Sequence, residues 1–181
     1  MIDDIQQAML GDEEAFQRLI TQQHASLYRM IYAYVHNEID AIEVFQNVVV
    51  KAFYALSTLQ QPTYFVTWLM RIAINESITF MKKQARESSA PIEQFMHIAD
   101  HVPSPDENID LWQALNELND QYKTVLLLRY YQDYTVVQIA EVTQLPEGTV
   151  KTSIRRGLQQ LKKRMKGAYY DDFQSFKNHD E

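Results

Sequence analysis

The stretch Tyr134–Leu161, YTVVQIAEVTQLPEGTVKTSIRRGLQQL, reads as two short helices with a tight break between them. Thr135 opens the first. Gln138, three residues later, completes a capping box, in which a hydroxyl and an amide side chain satisfy backbone groups that lack helical partners. Val136, Ile139, Ala140 and Thr143 follow at helical spacing, with Ala140 small where two crossing helices must approach. The break is Gln144-Leu145-Pro146-Glu147-Gly148, and Pro146 suits the first turn of a new helix, where its missing donor costs nothing. In the second helix Val150, Ile154, Leu158 and Leu161 form one apolar stripe. The other faces carry Thr149, Lys151, Thr152, Ser153, Arg155, Arg156 and Gln160, with no acid from Thr149 to Leu161. Such a face suits a DNA major groove, which admits one α-helix. An ordinary hairpin with a solvated basic face would read the same way over so short a stretch, so the rest of the chain has to decide.

The 181 residues make one domain or two small ones, and 46% hydrophobic residues supply enough apolar material for a core. Gly (4) and Pro (5) are few and β-branched alternation is rare, which predicts an all-α protein. With no cysteine there is neither a disulfide framework nor a thiolate metal site. No apolar run approaches the roughly 20 residues that span a bilayer, and the acidic, amphipathic N-terminus is not a signal peptide. A soluble, cytoplasmic protein is expected. The net charge of −7 argues at first against nucleic acid, but its distribution reverses that. Residues 61–90 carry four bases and two acids, and residues 120–167 nine bases and four acids. Residues 91–119 carry six acids and no base. Two cationic blocks, Arg71–Arg86 and Lys151–Lys166, therefore flank an acidic strap, and a protein partner is expected at the acidic N-terminal part.

Taken in order, residues 2–9 form a short amphipathic helix, and Asp12 caps the next, which ends near His36-Asn37. Asp40 is placed as the cap of a helix running to about Leu59, with Ala41, Val44, Phe45, Val48, Val49, Ala52, Phe53 and Leu56 on its inner face. Glu43, Gln46 and Asn47 lie on the other side, with Lys51 one turn beyond Asn47. After the loop Gln60-Gln61-Pro62-Thr63 a long helix runs from about Tyr64 to Gln84. Residues 87–109 hold three prolines and five acids without a sustained period, which marks a linker. Helices resume over 111–118 and 120–132, and the helix pair follows. The expected division is 1–88, a linker 89–110, 111–166, and an acidic aromatic tail 167–181.

The C-terminal half, with GTVK at Gly148–Lys151, resembles the promoter −35-binding domain of the extracytoplasmic-function sigma factors of the sigma-70 family. GDEEAF (Gly11–Phe16), DAIEVFQNVVVKAF (Asp40–Phe53) and TWLMRIAIN (Thr67–Asn75) resemble that family's −10-binding domain, in the family's order and spacing. The resemblance covers residues 1–166. It implies a non-enzymatic function, directing core RNA polymerase to promoters, with no catalytic residue, cofactor, metal or small-molecule substrate. It implies core-polymerase contacts at Asp40, Glu43, Gln46, Asn47 and Lys51. It implies −10 contacts at Gln61, Pro62, Thr63, Tyr64, Arg71, Asn75, Lys82 and Lys83, where an extruded base needs a pocket, aromatic surface and cations. Trp68 is assigned to core packing. For the −35 element the expected contacts are Thr149, Lys151, Thr152, Ser153, Arg155 and Arg156, since an Arg reads guanine bidentately. The family usually has two adjacent acids where Ile42-Glu43 stands and an acid at Asn47. It often has Gly at Gln144, so here the turn is either less tight or uses a left-handed Gln, and it often has Arg at Ser153. A membrane-associated anti-sigma factor is the expected partner, with the apolar island Phe95–Ile98 as a docking segment. The tail Tyr169–Phe176 could instead mask the basic face. The competing reading is a ligand-responsive helix-turn-helix regulator with a helical sensor domain, binding a palindromic operator as a dimer. The five His residues are scattered, and His97/His101 beside Asp100 is the single pair with metal-ligand spacing.

Overall fold

A computed structural model describes residues 1–87 and 105–165, with backbone alone for 105–110. The apolar island, His97 and His101, Lys166 and the tail lie outside the described residues. Eight α-helices are present among those described: α1 (Ile2–Met9), α2 (Glu13–Val35), α3 (Glu38–Ala55), α4 (Phe65–Glu87), α5 (Pro105–Asn116), α6 (Asp120–Leu126), α7 (Val136–Thr143) and α8 (Glu147–Arg164). None is long and apolar enough to cross a membrane.

The first four helices pack as one unit, with α2 central and touching α1, α3 and α4. Its 23 residues start where the Asp12 side chain accepts from the Ala15 amide at 3.0 Å. They end where His36 turns left-handed at φ 53°. Leu19, Leu27, Met30 and Ile31 recur along its inner face and meet Val44 and Val48 of α3 and Phe65, Leu69 and Ala73 of α4. Asn37, not Asp40, caps α3: its Oδ1 accepts from the Asp40 amide at 3.1 Å. Asn reaches a donor three residues on as well as Asp does, and Asp40 itself lies in the first turn. Past Ala55 the chain tightens into a 3-10 turn, Leu56–Thr58, which buries Leu56 and so sets the angle of the following loop.

In the second unit α6 packs on α8, and α7 on α8. α5 starts at Pro105, six residues before the expected 111. Residues 120–132 are not one regular helix. After Leu126 the backbone widens into a π turn, Leu127–Tyr131, with the Gln132 amide donating to the Leu127 carbonyl at 3.1 Å. A side-chain pattern does not report such a change of hydrogen-bond period. A close approach that sequence reading passed over lies at Gly157 of α8. A Cβ there would meet Leu126 Cδ1 at 3.2 Å and Tyr122 Cβ at 3.3 Å.

The two units dock. Gln132, just past the π turn, accepts from Ser26 Oγ at 2.8 Å and donates to the Ser26 carbonyl at 3.1 Å. The Tyr34 and Thr124 hydroxyls share a buried hydrogen bond of 2.6 Å. Lys123, only 7% exposed, lies over the Tyr34 ring and donates to Asn116 Oδ1 at 2.6 Å. Burial lowers its ammonium to about 8, against a raising pull from Asp120. His36 stands edge-on to Trp112 and 3.2 Å from Asn116 Oδ1. Burial first, and then the Lys123 charge, lower it to about 4. α4 also touches α7.

Candidate nucleic-acid interface

Trp68, Arg71, Asn75 and Lys82 recur at helical intervals along one side of α4, and Tyr64, in the turn before it, continues the row. The loop before them is shaped by Pro62, which forces Gln61 into an extended conformation (φ −132°, ψ 122°) and opens a single 3-10 turn, Pro62–Tyr64. The Tyr64 amide closes that turn on the Gln61 carbonyl at 3.1 Å. Gln61, Thr63, Tyr64 and Asn75 are exposed, while Pro62 and Arg71 are half-buried. Trp68 packs against the core, as expected. Lys82 and Lys83 are exposed, but Lys82 pairs with Asp120 of the second unit at 2.8 Å. The docked arrangement therefore leaves Asn75 open and engages one cation of this face, while Lys83 lies 4.0 Å from the Glu87 carboxylate one turn on.

On α8 the exposed side runs from Lys151 and Arg155 round to Thr149 and Arg156. Thr152 is half-buried and donates back to the Gly148 carbonyl at 2.8 Å. Ser153 departs from expectation: it is 3% exposed, and its Oγ accepts from Gln121 Nε2 at 2.8 Å. The reason is its register. Ser153 is one turn before Gly157, where α8 closes on α6, so its short side chain faces α6 and not outward. What the surface presents beside Thr149, Thr152 and Arg156 is Gln121, from a helix outside the helix-turn-helix. These residues line a polar groove of about 530 Å³.

The outer side of α3 also differs from expectation. Glu43, Gln46 and Asn47 are exposed, but Asp40 accepts from Gln84 at 3.3 Å and Lys51 pairs with Glu76, both turned toward α4. The centre of the exposed face is apolar: Ile39, Ile42, Val50, Phe53 and Tyr54. Phe53, expected inside, is 41% exposed and meets Phe16 edge-on. The apolar positions 39, 42, 50 and 53 form a second helical stripe that the sequence carries, interrupted by Gln46. Gln121, by contrast, gives no sequence signal, since its partner is 32 residues away.

Residues 19–87 match the family described as Sigma-70 region 2, and residues 109–161 match Sigma-70, region 4. The RNA polymerase sigma factor SigV of Bacillus subtilis is 30% identical, over 79% of this chain and 86% of that protein. The ECF RNA polymerase sigma factor SigW of the same organism is 28% identical, over 90% and 95%. Among solved structures, the sigma factor RpoE in complex with the anti-sigma factor NepR from Bartonella quintana superposes with a TM-score of 0.69. It is 19% identical, over 84% of this chain and 98% of that one, a likeness of fold.

Proposed function

The chain belongs to the sigma-70 family of RNA polymerase sigma factors, in its extracytoplasmic-function group, and on that footing we propose how its residues share the work. The protein is an alternative sigma factor: it directs core RNA polymerase to particular promoters and is controlled by an anti-sigma factor. Residues 1–88 bind core polymerase and the −10 element, and residues 111–166 bind the −35 element. Residues 89–110 tether the two. Core polymerase meets the outer side of α3, with Glu43, Gln46 and Asn47 around the apolar strip and Asp40 and Lys51 on its flank. The opened −10 strand is held by Gln61–Tyr64, Arg71, Asn75, Lys82 and Lys83. Asn supplies both a donor and an acceptor to a base edge. The −35 duplex is met by Thr149, Lys151, Thr152, Arg155 and Arg156. The protein works in the cytoplasm, and the anti-sigma factor is membrane-associated.

The observation that carries this reading is the pair of exposed helix faces bearing cations and amides, one on α4 and one on α8, in two docked helical units. Because residues 19–87 match region 2, they do not form the sensor domain that a ligand-responsive regulator would need. Run-off transcription from a library of upstream fragments tests the assignment. Fragment-dependent transcripts are expected when core polymerase and this protein are both present. No such transcript on any fragment would sink it.

A further inference from the structure

The polar groove beside α8 is completed by a residue that no helix-turn-helix pattern would select. Gln121 is exposed, stands in the first turn of α6, and lines the groove with Thr149, Thr152 and Arg156. Its amide nitrogen is tied to the buried Ser153 hydroxyl at 2.8 Å. We infer that Gln121 is a specificity-determining residue for the −35 element: its carboxamide, held by Ser153, reads one adenine in the major groove. This rests on the −35 reading proposed above.

The chemistry follows from what the tie leaves over. A carboxamide has two N–H donors and an oxygen with two lone pairs. When the N–H anti to the oxygen is the one spent on Ser153, the oxygen and the syn N–H remain side by side. If the amide is turned over, the serine hydroxyl donates to the oxygen, and one acceptor site and an N–H still remain. An adjacent acceptor and donor match the N6 amino group and N7 of adenine, the base that Gln contacts bidentately. Guanine offers two acceptors there, and cytosine one donor. Burial of Ser153 fixes the carboxamide before DNA arrives, so less rotamer freedom is lost on binding. Ser153 is thus a positioning residue, acting through Gln121.

The test uses the full chain with core RNA polymerase on templates randomised across the −35 element, read by sequencing the transcripts. For wild type, adenine is expected to be enriched at one position. Gln121→Leu should lower that enrichment roughly tenfold, the scale of one bidentate contact, and leave preferences at other positions intact. Gln121→Glu, which only accepts, should move the preference at that position toward cytosine. Ser153→Ala should weaken the adenine preference partially, with an unchanged urea midpoint. A Gln121→Leu profile identical to wild type would overturn the inference alone, as would an equal loss at every position, which indicates a phosphate contact or a structural role. A wild-type holoenzyme with no preference anywhere in the element would overturn the −35 reading as well.

Discussion

Gln144 closes α7 in a left-handed conformation at φ 57°, the alternative to a looser turn at this position. The chain keeps the tight turn. A β-carbon in this region costs roughly 1 kcal/mol, which Gly avoids. Gln144→Gly is expected to raise stability by about 0.5–1 kcal/mol in urea unfolding, with transcription unchanged, because Gln144 contributes to neither helix face. Thr135 shows the opposite case, a residue whose role was fully local and fully legible. Its hydroxyl accepts from the Gln138 amide at 3.3 Å, and the Gln138 side chain accepts from the Thr135 amide at 2.9 Å. Ser153 is buried for a corresponding reason: its partner in space, Gln121, is far from it in sequence.

The helix α3 carries two stripes, and sequence periodicity was spent on the inner one. Ala41, Val44, Val48 and Ala52 are buried, as their spacing requires. The outer strip of Ile39, Val50 and Tyr54 stays open among the described residues. Exposed apolar side chains gathered on one helix face, ringed by polar ones, mark a binding surface. Val50→Glu, at the centre of that strip, is expected to weaken core-polymerase binding at least tenfold in a competition assay, since interface energy concentrates in a few central contacts. Its effect on unfolding should stay within about 0.5 kcal/mol, as for other surface changes. Lys51→Ala should alter core binding much less, because an exposed ion pair such as Lys51–Glu76 is worth about 1 kcal/mol or less.

Docking of the two units is expected to respond to the protonation of Lys123 and His36. Lys123 sits 4.6 Å from the Tyr34 ring centre, and burial lowers it to about 8 from the ordinary 10.5. Between those values the docked form holds fewer protons than the undocked form, so docking strengthens as pH rises through that interval. His36, lowered to about 4, gives a second interval with the same sign. Docking weakens as pH falls from about 6.5 toward 4. Small-angle scattering should therefore show expansion on going from pH 7 to pH 5, and His36→Gln should abolish that step. Lys123→Met should compact the molecule at pH 7 and remove the alkaline step, because a neutral side chain avoids the cost of a buried charge. A radius independent of pH from 5 to 10 would refute this account.

Local chemistry settles much of this molecule before it folds. Caps at Asp12 and Thr135, the break around Pro146, and apolar residues every three or four positions specify helices through neighbours at most four residues apart. For the same reason the cationic faces of α4 and α8 could be placed from the chain alone. The docking of Tyr34 on Thr124, the burial of Ser153 under Gln121, the close approach at Gly157 and the outward turn of Phe53 depend on residues 31 to 90 positions apart or on which face each helix buries. Those relations exist only once helices cross, so no periodicity along the chain encodes them.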